Sequence, residues 1–131
     1  MKTSKTILVV EDEKYLREAL TDILKLKGFL TLEAKNGRDG VEVAILKHPD
    51  LVLLDLIMPE MDGTEALRKI RENKWGAKVP VIILTNLSAT KDRPIEDVTT
   101  HKFVHYLIKS DWKLLDIVKE IERILNIESH A

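Results

Sequence analysis

A doubly wound α/β domain with a parallel sheet is the fold class predicted by the sequence, on three observations. Short apolar runs recur along the chain without the period-2 alternation of a half-exposed strand, as expected for strands buried on both faces. Segments with helical spacing fill the intervals between them, which implies right-handed crossovers with helices on both faces of the sheet. Polar and charged residues stand directly after the apolar runs, where an open α/β sheet places its ligand site.

The elements follow in order. Ile7-Leu8-Val9-Val10 is the first strand, and Leu16, Leu20 and Ile23 mark a helix that runs to Lys27 and is stopped by Gly28. Phe29 to Ala34 is a more amphipathic strand, followed by a helix carrying Val41, Ala44 and Ile45. Leu51-Val52-Leu53-Leu54 is the third strand, and Ala66, Leu67 and Ile70 form the apolar stripe of the third helix. Arg68, Lys69 and Arg71 are assigned to its solvated face. Val81-Ile82-Ile83-Leu84 is the fourth strand, Phe103 to Ile108 the fifth, and Leu114, Val118, Ile121 and Leu125 mark the last helix, with Trp112 at its start. The stretch from Asn86 to Thr100 has the weakest pattern, because Pro94 and Val98-Thr99-Thr100 oppose helix formation, and a short or frayed helix is expected there. Residues 127–131 carry little to bury and are expected to be a disordered tail beyond a single domain spanning 1–126.

The chain has 131 residues, 21 basic and 22 acidic side chains, a formal net charge of -1 and no cysteine. One core is expected at that length. The balanced charge excludes the strongly basic footprint of a nucleic-acid or anionic-membrane binder, and the lack of thiols excludes disulfide scaffolds and thiolate metal sites. The apolar runs are shorter than the roughly 20 residues a bilayer-spanning helix needs, and the polar start of the chain is unlike a signal peptide. A cytoplasmic location is therefore expected. The four histidines, His48, His101, His105 and His130, have no metal-ligand spacing and are read as surface or partly buried groups.

The polar harvest at the strand ends is Glu11-Asp12-Glu13 after the first strand, Asp55 after the third, Thr85 after the fourth and Lys109 after the fifth. If the first and third strands are neighbours, Glu11, Asp12 and Asp55 converge at one edge. Carboxylates brought together repel, and a hard divalent cation with a nearby ammonium relieves that repulsion. Mg²⁺ suits oxygen ligands and leaves room for phosphate oxygens. With an aspartate nucleophile, a cation from Lys109 and a hydroxyl from Thr85, the inventory fits phosphoryl transfer. Each residue also has a plainer reading. Asp12 or Glu13 can cap a helix, Asp62 with Glu65 resembles a capping-box variant, and Thr85 or Lys109 alone is ordinary. Asp55 resists the plain reading, because a carboxylate directly after Leu51-Val52-Leu53-Leu54 is costly to bury without a partner.

With these residues placed, the chain resembles the receiver domain of two-component response regulators over nearly its whole length. Ile7-Leu8-Val9-Val10-Glu11-Asp12-Glu13 is similar to the family's first strand and acidic pair. Asp55-Leu56-Ile57-Met58-Pro59-Glu60-Met61-Asp62-Gly63 is similar to its phosphoacceptor loop. The resemblance implies a five-stranded sheet in flavodoxin-like order 2-1-3-4-5. It implies that Asp55 accepts a phosphoryl group from a phosphohistidine on a sensor histidine kinase or phosphotransfer protein, and that Mg²⁺ is held by Asp12, Asp55 and the backbone carbonyl of Ile57, with Glu11 acting mainly through water. Lys109 would pair with the acyl phosphate, Thr85 would move to hydrogen-bond it, and Tyr106 would turn inward as the aromatic half of the switch. The face made by the fourth helix, fifth strand and fifth helix would then select a downstream protein rather than nucleic acid or membrane.

The chain departs from the family pattern at Asn86, at Lys102-Phe103-Val104-His105 and across the atypical 86–105 segment, so the output face transfers least. Ser110 replaces the usual proline after Lys109, where a cis non-proline bond would cost roughly 2.5–4 kcal/mol, and Ser110 or Asp111 is expected to cap the last helix. Three functions are weighed. A stand-alone receiver or phosphorelay intermediate leads, since the chain ends soon after the fifth helix. A pseudo-receiver that binds without phosphorylation is the alternative. A turnover phosphatase with an aspartyl-phosphate intermediate is disfavoured, because Ile57 stands where a second carboxylate would activate water. The same apolar Ile57, with Leu87, predicts a long-lived aspartyl phosphate.

Overall fold

The computed structural model describes residues 5–55, 61, 63–85, 104–108 and 113–126. They form β1 (Thr6–Val10), α1 (Lys14–Leu26), β2 (Leu30–Ala34), α2 (Gly37–Lys47), β3 (Leu51–Asp55), α3 (Gly63–Glu72), a 3₁₀ turn (Trp75–Ala77), β4 (Val81–Thr85), β5 (Val104–Ile108) and a C-terminal helix (Leu114–Ile124). The strands pair in parallel in the order β2-β1-β3-β4-β5. This is the order implied by the resemblance. The expected helix within 86–100, the Trp112 anchor and the 127–131 tail lie outside the described residues.

Continuous apolar strands require helices on both faces, and the core divides accordingly. On one face Leu8, Val10, Val52, Leu54, Val81 and Ile83 pack under Val41 and Ala44 of α2 and Ala66, Leu67 and Ile70 of α3. On the other, Ile7, Val9, Leu51, Leu53, Ile82 and Leu84 pack under Leu20 and Leu24 of α1 and Ile117, Val118 and Ile121 of the C-terminal helix. Full burial of each such aliphatic side chain stabilises the fold by about 1.5–3 kcal/mol. At the opposite edge from the site, the Asp50 carboxylate accepts from the Thr6 backbone N–H at 2.8 Å and the Asp50 N–H donates to the Thr6 carbonyl at 2.8 Å. That reciprocal pair fixes where β1 starts relative to β3.

Helix ends correct several local expectations. Of the two cap candidates Asp12 and Glu13, Glu13 is the N-cap of α1, but its side chain makes no capping bond. Gly28 follows the end of α1 at φ 95, a left-handed conformation that glycine adopts without a Cβ clash. Ile45, read as core-facing, is exposed, because α2 buries Gly37, Gly40, Val41 and Ala44 instead. Lys113 is the N-cap of the C-terminal helix, in place of Ser110 or Asp111, and its N–H donates to the Asp116 carboxylate three residues on at 3.1 Å.

Arg71 is also corrected. Rather than joining the solvated face, its guanidinium is half-buried and Nη1 donates to the carbonyls of Gly76 and Val79 at 2.8 and 2.7 Å, clasping the turn that leads into β4. Burial pulls its pKa below the ordinary value, and it stays charged at any working pH. Arg68 does occupy the solvated face, paired with Glu65 and Glu72. Exposed His48 ends α2 in a left-handed conformation and stacks on Trp75 with ring centroids 4.7 Å apart.

Candidate functional site

Register brings the acidic residues together. Val10 pairs with Leu54 across β1 and β3, so Glu11 and Asp55 emerge side by side at the carboxyl ends of two central strands. Glu11 is 1% exposed and Asp55 6% exposed, whereas Asp12 is open to solvent. One carboxylate oxygen from each of Glu11, Asp12 and Asp55 lies within 4.8 Å of the others. Such an arrangement of three anions, two of them buried, favours a cation in their midst.

The local chain explains how the cluster is held. The Glu11 N–H donates to the Ala34 carbonyl at 3.0 Å, extending the β1–β2 ladder one residue past β1. The Glu11 carboxylate accepts from the Glu13 N–H at 3.1 Å, serving the first turn of α1 from outside the helix. Arg17, one turn into α1, donates from Nη1 to the Glu11 carbonyl at 2.8 Å and from Nε to the Glu33 carboxylate at 3.3 Å. Sequence reasoning missed Arg17, since an arginine on an amphipathic helix reads as solvated until tertiary structure brings a carbonyl to it.

Of the other anticipated residues, Thr85 falls at the same edge by backbone position. Thr85 is the last residue of β4, where Asp55 pairs with Leu84, and Thr85 pairs with Ile108, the residue before Lys109. Tyr106, the middle residue of β5, pairs with Ile83 of β4. Lys109 and Ile57 lie outside the described residues, as do Asp62 and its capping-box reading.

The donor set is all oxygen and matches a hard cation such as Mg²⁺, which is typically held through one or two carboxylates and retained waters. Softer metals that prefer imidazole or thiolate find neither in the cluster.

A parallel sheet in this strand order with an acidic cluster at the carboxyl ends of β1 and β3 defines a doubly wound α/β domain with a candidate cation site. A family model described as the response regulator receiver domain matches residues 7–122, and the chain belongs to that family. It is 38% identical over 112 residues to a protein-glutamate methylesterase/protein-glutamine glutaminase of Archaeoglobus fulgidus, covering 85% of this chain and 31% of that protein. It is 38% identical over 92 residues to the protein PilH of Pseudomonas aeruginosa, covering 70% of this chain and 73% of PilH. Among solved structures, the receiver domain of a sensor histidine kinase from Pseudomonas aeruginosa PAO1, described with a magnesium ion coordinated in its active-site cleft, superposes with a TM-score of 0.82 at 27% identity, covering 95% of this chain and 99% of that one. The chain is thus a receiver domain of two-component signalling that spans about a third of the methylesterase it matches. No helix among the described residues is long and apolar enough to cross a membrane.

Proposed function

We propose that Asp55 is a phosphoacceptor that takes a phosphoryl group from a phosphohistidine on a sensor histidine kinase or phosphotransfer protein. The observation that carries this reading is the convergence of Glu11, Asp12 and Asp55 within 4.8 Å, with Asp55 buried at the end of a strand whose residues are all buried. A carboxylate in that position is costly for stability alone and suited to nucleophilic use. An Asp55 carboxylate oxygen forms the new P–O bond, the P–N bond to the donor imidazole breaks, and the imidazole keeps the electron pair and takes up a proton. Asp12, Asp55 and the Ile57 carbonyl would hold Mg²⁺, with Glu11 acting through water. When bound, Mg²⁺ supplies positive charge beside the phosphoryl oxygens. Lys109 would provide the second positive charge and Thr85 a hydroxyl donor.

The product then biases a two-state element. Thr85 and Tyr106 would form its switch, and segment 86–103, β5 and the C-terminal helix the surface read by a downstream protein. The chain works as a signalling module and not a turnover enzyme, because apolar Ile57 cannot serve as general acid or base toward water.

The test is intact-protein mass after incubation with acetyl phosphate and Mg²⁺. One added phosphoryl group, lost with Asp55→Asn and lost with a chelator, is expected. No adduct on wild-type protein would overturn the reading in favour of a phosphorylation-independent binding module.

A further inference from the structure

β2 ends the sheet on one side, and among the described residues it pairs with β1 alone. The Leu30 N–H donates to the Lys5 carbonyl at 3.0 Å and the Ala34 carbonyl accepts from the Glu11 N–H at 3.0 Å, so both residues turn their main chain toward β1. Residues alternate along a parallel ladder, so Thr31 and Glu33 turn theirs outward, an N–H and a C=O from each. Such an edge is a template for a further strand unless charge or a covering segment protects it. Glu33 is the single charged side chain of β2, and it is held by the Arg17 guanidinium at 3.3 Å.

Beside the carboxyl half of this edge lies an open cleft of about 430 Å³ that crosses from α1 to α2. Arg17 closes it on the α1 side, where the guanidinium is taken up by the Glu11 carbonyl and by Glu33. Asp39, Glu42 and Val43 line it on the α2 side, and Lys35 adds a positive charge at the end of the strand. With Arg17 matched to Glu33, the remaining balance is one positive charge against two negative. Val43 packs on the core beneath and offers an alkyl stem a surface, while Asp39 and Glu42 offer carboxylates to a cation at its tip.

We propose that the outer edge of β2 is a docking site for an extended, basic segment of a partner protein, which adds to the sheet through the main chain of Thr31 and Glu33 and lays a Lys or Arg side chain in the cleft against Asp39 and Glu42. Strand addition takes its affinity from main-chain bonds and its specificity from pockets for alternate side chains. An acidic segment is repelled there, and a second copy of this chain is the poorer occupant because it brings the same Glu33, Asp39 and Glu42 to the contact. The site stands at the edge of the sheet and does not depend on phosphoryl transfer to Asp55.

Backbone amide NMR of the full chain tests this with the capped peptide acetyl-Thr-Val-Lys-Val-Thr-amide, beside the same peptide with Glu in place of Lys. The lysine peptide is expected to shift the Thr31 and Glu33 amides, to leave Tyr106 on the far strand β5 unmoved, and to bind with a dissociation constant of about 1 mM or tighter. The glutamate peptide should bind at least about fivefold more weakly, and Glu42→Lys, at an exposed position of α2, should reverse the preference. Thr31→Pro removes an outward N–H and leaves the bonds to β1, so it should abolish the shift at Glu33. Where Thr31→Pro fails to fold, Glu42→Lys and the two peptides still decide. No shift in β2 at several millimolar lysine peptide, or equal affinity for the two peptides, overturns the proposal. Shifts in β2 that follow protein concentration without peptide overturn it as well, and assign the edge to a second copy.

Discussion

The Arg17 guanidinium and the Glu11 carbonyl meet at 2.8 Å, so a residue one turn into α1 holds the backbone from which the acidic site projects. The same guanidinium reaches Glu33 on β2, and its side chain is only 16% exposed. Replacing it with Arg17→Met keeps much of the apolar stem and removes both bonds. A charged hydrogen bond of this kind contributes about 1.5–3 kcal/mol, and urea unfolding should show a loss in that range. A loss below about 0.5 kcal/mol would mean that water replaces the guanidinium without cost.

Metal and charge predict opposite signs for one substitution. In metal-free buffer, Asp12→Asn removes one of three converging carboxylates and should raise the thermal midpoint, because repulsion is relieved. With Mg²⁺ the order should reverse. Ligand binding to the native state stabilises it, and loss of a carboxylate should weaken Mg²⁺ by at least about tenfold, or about 1.4 kcal/mol. Thermal scans of both proteins with chelator and with Mg²⁺ check this. A midpoint for Asp12→Asn that responds to Mg²⁺ as the wild type does would remove Asp12 from the cation site.

How much of this could be read from the sequence depended on whether a residue's role follows from composition and periodicity or from a contact outside its own element. Val9 and Leu53 announce buried strands by composition alone, and the acidic residues that follow them fall at the strand ends by counting. The sheet order was implied by the resemblance and is realised in the register of Val10 with Leu54. Arg71 was misplaced, since helical spacing puts it beside Arg68 and gives no hint of the Gly76 and Val79 carbonyls it clasps. Asp12 and Glu13 were both offered as caps and Glu13 takes that position, yet its side chain makes no capping bond and its N–H is met by the Glu11 carboxylate from the preceding strand end. Gly37 reads as a weak helix former until the Met61 carbonyl is brought against it. In each case the missing information is a contact made outside the residue's own element, which spacing within that element does not specify.

The Arg71 clasp gives a stability prediction away from the site. Arg71→Met leaves the Gly76 and Val79 carbonyls without that donor, at about 1–3 kcal/mol. Denaturant unfolding should report the loss, while acetyl phosphate labelling of the folded fraction stays within about twofold, since the clasp serves the turn before β4. Labelling that falls with stability would connect this turn to the site.

His48 combines a backbone cost with a ring contact, and two variants separate them. At φ 49 the residue sits in the left-handed region, which costs a non-glycine residue about 1–2 kcal/mol. Both His48→Gly and His48→Ala lose the stack on Trp75, but only alanine keeps the backbone penalty. His48→Gly should therefore be the more stable of the two by about 1 kcal/mol in urea. Equal stabilities would show that the loop relaxes out of the left-handed conformation.

An aspartyl phosphate formed at Asp55 as proposed would last as long as water is kept from attacking it. Hydrolysis needs a water molecule held in line with the P–O bond, and a polar side chain near the acceptor supplies that orientation. Two residues after Asp55 stands Ile57, and two after Thr85 stands Leu87, both apolar. Neither can hydrogen-bond an attacking water, so slow decay follows once donor and Mg²⁺ are removed by rapid desalting. Ile57→Asn introduces an amide at the first of these positions and leaves its backbone carbonyl in place. Its phosphoryl group should be lost at least about threefold faster by intact mass over time, with labelling stoichiometry unchanged. A wild-type protein that decays as fast as Ile57→Asn would place the water-orienting group elsewhere on the chain.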